Sequence, residues 1–163
     1  MDPGSGGRWA AARESVVAGP AVPPSGGAAI LRGAMIVDCA HYRDGVRQNE
    51  GKLELGEAAR CASGEHDDFV WLGLHEPSDE LLAEVQERFG LHELAVEDAT
   101  ASHQRPKLED YDDSYFVVLH TAHYLDASEE VEFGEIHVFV GRGYVIAVRH
   151  GEGSELRTAR QRI

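Results

Sequence analysis

The stretch Phe69-Val-Trp-Leu-Gly-Leu74 carries no charge and no polar side chain. A short run of this kind, with no alternation of apolar and polar residues, reads as a strand buried on both faces. Such a strand needs cover on each side, so the run predicts an α/β fold with helices on both faces of a sheet. Trp71 is expected in the core, as is Tyr144 further on. The segment that follows supplies a helix. Pro77-Ser78-Asp79-Glu80 is a helix start with Ser78 as N-cap, and Leu81, Leu82, Val85 and Phe89 form an apolar stripe at helical spacing. Gly90 stands where a left-handed residue ends a helix.

The run from Gly90 to Glu109 then opens as a second helix near His92, with Leu91, Leu94 and Ala95 as its apolar face. Pro106 cannot continue a helix and pushes Arg105 toward an extended conformation. The helix therefore stops before Arg105, and a strand begins at about Lys107. Leu108 to Leu125 reads as one long strand. Tyr115, Val117, Leu119 and Thr121 face one way, and Phe116, Val118, His120 and Ala122 the other. Asp126-Ala127-Ser128 turns the chain into a strand from Val131 to Val140. Gly141-Arg142-Gly143 turns it again into Tyr144 to Arg149. Short links between consecutive strands make an antiparallel meander. Upstream, Met35 to Cys39 is a short strand, Asp44-Gly45 a hairpin turn into Val46 to Gln48, and Leu55 to Ala62 a short helix.

These elements divide the chain into three parts. Residues 1–33 are rich in Gly, Pro and Ala and read as a flexible tail; residues 34–153 form the α/β domain; Ser154 caps a helix that begins in residues 154–163.

The formal net charge is -14 over 163 residues. A chain this acidic repels nucleic acid and anionic lipid. Cys39 and Cys61 form no Cys-x-x-Cys pair, which fits a reducing compartment and gives no zinc ribbon. No apolar run approaches the ~20 residues of a membrane helix, and no secretory leader is read.

No catalytic constellation is present, and the chain is not expected to be an enzyme. His120 and His123 fall on opposite faces of a strand; after His92-Glu93, Val96 stands where a zinc protease would need its second His; Gly-x-Ser-x-Gly and phosphate-binding Gly-Lys-Ser are missing. The acidic runs Glu109 to Asp113 and Glu129 to Glu132 lack the pattern of a calcium loop and read as solvated strand ends.

Five segments, in this order, carry a family likeness: Phe69-Val-Trp-Leu-Gly-Leu74, Gly90-Leu91-His92, Val96-Glu97-Asp98, His103-Gln104-Arg105-Pro106-Lys107-Leu108-Glu109, and Tyr115-Phe-Val-Val-Leu119. Their order and spacing resemble the N-terminal cytoplasmic domain of the CorA family of divalent-cation channels. The likeness extends from about Met35 onward. It departs at His92-Glu93, where many members have His-Pro. The resemblance implies a mixed, largely antiparallel sheet with helices on both faces. It implies that Asp98 helps hold a regulatory, weakly bound Mg²⁺ between neighbouring subunits, with Glu97 assisting through the ion's waters. His103 to Lys107 would be a structural corner, with Arg105 and Lys107 as surface charges and a salt bridge to Glu109 worth ~0–1 kcal/mol. Mg²⁺ suits such a site, because it keeps much of its water and takes one or two carboxylates.

The family also implies transport of Mg²⁺ and Co²⁺ by a pentamer on the cytoplasmic side of the cell membrane. Two membrane helices, a Gly-Met-Asn loop and the partner carboxylate would all lie beyond Ile163. This chain is then expected to be soluble, monomeric or weakly self-associating, and to reach a membrane only through that further region. Two other readings stand beside it: the same domain from a zinc-transporting relative, or a stand-alone acidic α/β module that binds a metal or another ligand.

Overall fold

A computed structural model describes residues 35–62, 68–101 and 103–151, with 156, 159 and 162 beyond them. The expected tail lies outside these residues, as does most of the expected helix from Ser154. Along the chain run β1 (Ile36–Arg43), β2 (Val46–Arg47), α1 (Leu55–Ala62), β3 (Phe69–His75), α2 (Asp79–Phe89), α3 (Glu93–Thr100), β4 (Lys107–Tyr111), β5 (Ser114–Leu125), β6 (Glu130–Gly141) and β7 (Tyr144–His150). The strands form one mixed sheet in the order β2-β1-β3-β7-β6-β5-β4. All pairs are antiparallel except β3 with β7. The expected α/β class with a largely antiparallel sheet is what the chain adopts.

Register sets side chains in rows across the sheet. Leu72, Ile146, Phe139, Phe116 and Glu109 lie side by side on one face. Leu74, Val148, His137, Val118 and Lys107 make the next row. The first row is apolar through the middle, the second carries His137 there, and both end in a charged residue on the edge strand β4. The helices bury the apolar part. Leu55, Ala58 and Ala62 of α1, the stripe Leu81, Leu82, Val85 and Phe89 of α2, and Ala95, Val96 and Ala99 of α3 join one core with these strands.

Helix ends follow the sequence signals. Ser78 Oγ accepts from the Leu81 N–H at 3.3 Å, which satisfies one of the orphan donors of the first turn of α2. Gly90 ends α2 at φ 66°, and its N–H donates to the Gln86 carbonyl at 2.9 Å.

Four details differ from expectation. The long strand from Leu108 is two strands, broken at Asp112-Asp113, where Asp112 takes φ 49°. Aspartate tolerates this left-handed geometry better than most residues, so the acidic run is a hairpin turn. Leu94 is 56% exposed; Leu91 precedes the helix, and Ala95, Val96 and Ala99 make the buried face of α3. Trp71 sits on the face of the sheet away from the core cluster and is half-buried, whereas Tyr144 is buried as expected. Finally, the expectation of helices on both faces is met on one among the described residues. On the other face Leu108, Tyr115 and Leu119 are exposed, although Ala40, Tyr42, Ile136 and Ala147 are buried.

Candidate functional site

Helix α3 lies along β4 in the opposite direction. At one end the His92 ring stacks on Tyr111 with centroids 4.0 Å apart; at the other, Asp98 reaches Lys107. Lys107 Nζ donates to Asp98 Oδ2 at 2.5 Å and to Glu109 Oε1 at 3.0 Å. The Tyr111 hydroxyl donates to Glu109 Oε2 at 2.7 Å. The ammonium also stands 5.7 Å from the centroid of the Phe116 ring. Lys107 and Glu109 share a face because they are two apart on one strand, and the row geometry aims both at the helix side.

The charges tune one another. The Asp98 hydrogen bond holds Lys107 above its ordinary value. The Tyr111 hydrogen bond, then Lys107, holds Glu109 below the usual carboxylate range. Tyr111 in turn is pushed up to about 12, chiefly by its bond to Glu109.

Asp98 is 28% exposed in its side chain, and Oδ1 takes no hydrogen bond among the described residues. Glu97 is exposed, and its side chain enters no bond among them. Arg105 is likewise exposed and without an ion pair there; of the two basic residues flanking Pro106, Lys107 is the one that pairs with Glu109. No three His, Cys, Asp or Glu side chains stand close enough to hold a metal ion among the described residues.

The corner after α3 is anchored by groups that sequence reading passed over. Glu135 accepts the N–H of His103 at 2.8 Å and that of Gln104 at 3.4 Å. This holds His103 at φ 74°, a left-handed geometry for a residue with a side chain. His120 Nε2 donates to the Gln104 carbonyl at 2.6 Å. His150 Nε2 donates to the Ala99 carbonyl at 3.0 Å, and its Nδ1 lies 3.2 Å from Glu76 Oε2. His137, fully buried, lies 3.2 Å from Glu135 Oε2 through Nε2, while its Nδ1 has no hydrogen bond within range among the described residues. The hollow beside this network has a volume of about 540 Å³ and is lined by Glu76, His120, Phe133, Glu135 and His150 among others. The signal in the sequence is Glu135-x-His137, two apart and so on one face. Its partners come from other strands, and only the register brings them in.

This network makes acid sensitivity part of the fold. Burial holds the His137 imidazole below its ordinary value, against the opposing pull of Glu135. The unfolded chain therefore takes up this proton more readily than the folded one. The contribution is complete above the unfolded value near pH ~6.5 and is lost as pH falls through and below it. The urea midpoint is expected to fall from about pH 7 to about pH 5, and His137→Leu is expected to flatten that slope. An unchanged slope in the variant contradicts the assignment.

Cys39 and Cys61 are free, and burial pushes the Cys39 thiol up to about 12, which removes it from thiolate chemistry. No helix among the described residues is long and apolar enough to cross a membrane.

The fold is shared with solved proteins. The structure of full-length CmaX aligns with a TM-score of 0.57 over 78% of this chain and 37% of that one, at 19% identity. Among sequences, YfjQ of Bacillus subtilis is 31% identical over 95 residues, 58% of this chain and 28% of YfjQ. The cobalt/magnesium transport protein CorA of Thermotoga maritima is 30% identical over 91 residues, 56% of this chain and 25% of that protein. The family model described as CorA-like Mg2+ transporter protein matches residues 66–163. The chain belongs to the CorA-like family. It spans roughly a quarter of the length of these relatives, 28% and 25%.

Proposed function

We propose that this domain is the Mg²⁺-sensing part of a CorA-type channel for Mg²⁺ and Co²⁺, on the cytoplasmic side of the membrane. In this reading Asp98 meets a regulatory Mg²⁺ shared with a neighbouring copy. The observation that carries it is the partly exposed Asp98 carboxylate, with Oδ1 open, at the end of α3 beside the Pro106 corner. A carboxylate near a helix C-terminus opposes the helix dipole, so it is retained there at a small cost. The donor chemistry fits: Mg²⁺ takes one or two carboxylates and keeps its waters. Among the described residues no group of three acidic, imidazole or thiol ligands converges at Asp98, and in this reading a further carboxylate comes from another copy. Glu97, exposed and one residue away, would accept from the ion's waters.

When bound, the ion supplies positive charge between two acidic surfaces. The protein's part is to hold Asp98 partly exposed on α3, ahead of the Pro106 corner. The ion then favours the closed arrangement only as far as it binds that arrangement more tightly than the open one. Subunit number follows the family expectation of a pentamer, and the domain alone would be a monomer or weakly self-associating.

Mg²⁺-dependent protection of the full-length protein from protease tests this. The wild type is expected to be protected over millimolar Mg²⁺. Asp98→Asn is expected to shift the midpoint upward by about tenfold or more, the loss of one carboxylate ligand of a hard cation. The same midpoint in both would remove Asp98 from the site while leaving the fold untouched.

A further inference from the structure

Asp98 already holds a cation, and that cation is part of the protein. The Lys107 ammonium bridges Asp98 Oδ2 and Glu109 Oε1 at 2.5 and 3.0 Å. Three features keep it there. The β4 register points Lys107 and Glu109 to the helix side. The Tyr111 hydroxyl fixes the far oxygen of Glu109. The Phe116 ring, 1% exposed, forms the floor beneath the ammonium.

We propose that Lys107 is a tethered competitor for the divalent cation: it holds Asp98 when that cation is scarce, and the cation occupies Asp98 by taking the carboxylate from it. The inference rests on the Asp98 reading and adds to it what sets the concentration at which the site fills. A divalent ion brings two charges to the carboxylate where the ammonium brings one. The ammonium is attached to the same chain, however, so its local concentration is high and does not change with the medium. A rival of that kind moves half-occupancy to higher ion concentration.

Glu109 gives the competitor a second place to rest. Lysine carries three donors on a flexible stem, so it can leave Asp98 and remain on Glu109. Glu109 is held in place by Tyr111 rather than by Lys107 alone, so it waits in position during the exchange. The lysine is never left unpaired, and the exchange costs less than breaking an ion pair outright.

The experiment is the same protease-protection titration with MgCl₂ at constant ionic strength, on the assembled full-length protein. Lys107→Met keeps the apolar stem over Phe116 and removes the charge. Its midpoint is expected to fall about fivefold below the wild type, on the scale of a partly exposed ion pair. Lys107→Arg keeps the charge and is expected not to lower it. Glu109→Gln removes the resting place and is expected to raise it, an arm that does not depend on how the methionine variant folds. Equal midpoints for wild type and Lys107→Met, with Asp98→Asn still impaired, overturn the competitor and leave the Asp98 reading standing. A wild-type midpoint in Asp98→Asn overturns both.

Discussion

Gly143→Ala is expected to cost about 3 kcal/mol or more, among the largest losses any single methyl could cause in this fold. Gly143 takes φ 81°, a conformation that L residues rarely adopt. A Cβ there would stand 1.9 Å from the Ala62 carbonyl oxygen and 2.9 Å from its carbon. Both are backbone atoms at the end of α1, so no side chain can swing aside. The hairpin cannot retreat either, because the Gly143 carbonyl accepts from the Val70 N–H at 2.9 Å and so seats β3. Gly90 makes the control. It has φ 66° but open space around its Cβ position, so Gly90→Ala is expected to cost about 1 kcal/mol from backbone strain alone. Urea unfolding midpoints, with the slope unchanged, measure both. A Gly143 variant no weaker than the Gly90 variant would refute the clash.

The second large loss is expected from Phe116→Ala, about 3–5 kcal/mol. Phe116 is 1% exposed between Phe139 and Glu109 in its row, 4.9 Å from the Phe139 ring and 5.9 Å from that of His137, centroid to centroid. Strands flank the row on both sides, so the void closes only in part. The same substitution takes away the floor under Lys107. A loss below about 1 kcal/mol, far under the range for a buried aromatic, would mean that the row collapses to fill the gap.

What the sequence makes legible here is what depends on neighbours in the chain. The stripe of α2, the Ser78 cap and the Gly90 stop are each written within a few residues, and each is found in place. The parity of β5 is equally local at its start, where Phe116 and Val118 are buried and Tyr115 and Leu119 are exposed; further on, His120 and Ala122 of the Phe116 side are exposed too. The hairpin at Asp112-Asp113 was hidden because acidic residues at a strand end and at a turn look alike; only φ tells them apart. Trp71 reads as core on hydrophobicity, yet cover for its face is a property of the whole assembly of elements.

The site follows the same rule. Asp98 and the corner from His103 to Lys107 stand out in the sequence through family likeness. The pairing of Asp98 with Lys107 does not, because it depends on α3 lying along β4 in the reverse direction. The Glu135 anchor needs more still: residues 31 and 32 positions apart meet only after β6 has taken its place.

The order of the strands has a consequence for how the chain is made. β7, the last strand among the described residues, enters the middle of the sheet and joins β3 on one side to β6 on the other. Until the ribosome has released Tyr144 to His150, two separate ribbons wait with unpaired edges: β2-β1-β3, and β6-β5-β4. Both inner edges offer free backbone donors and acceptors during that interval. Val70 then waits for a partner 74 residues later in the chain, Tyr144, a long-range closure of the kind that slows folding. β7 is therefore the segment that turns two ribbons into a single sheet.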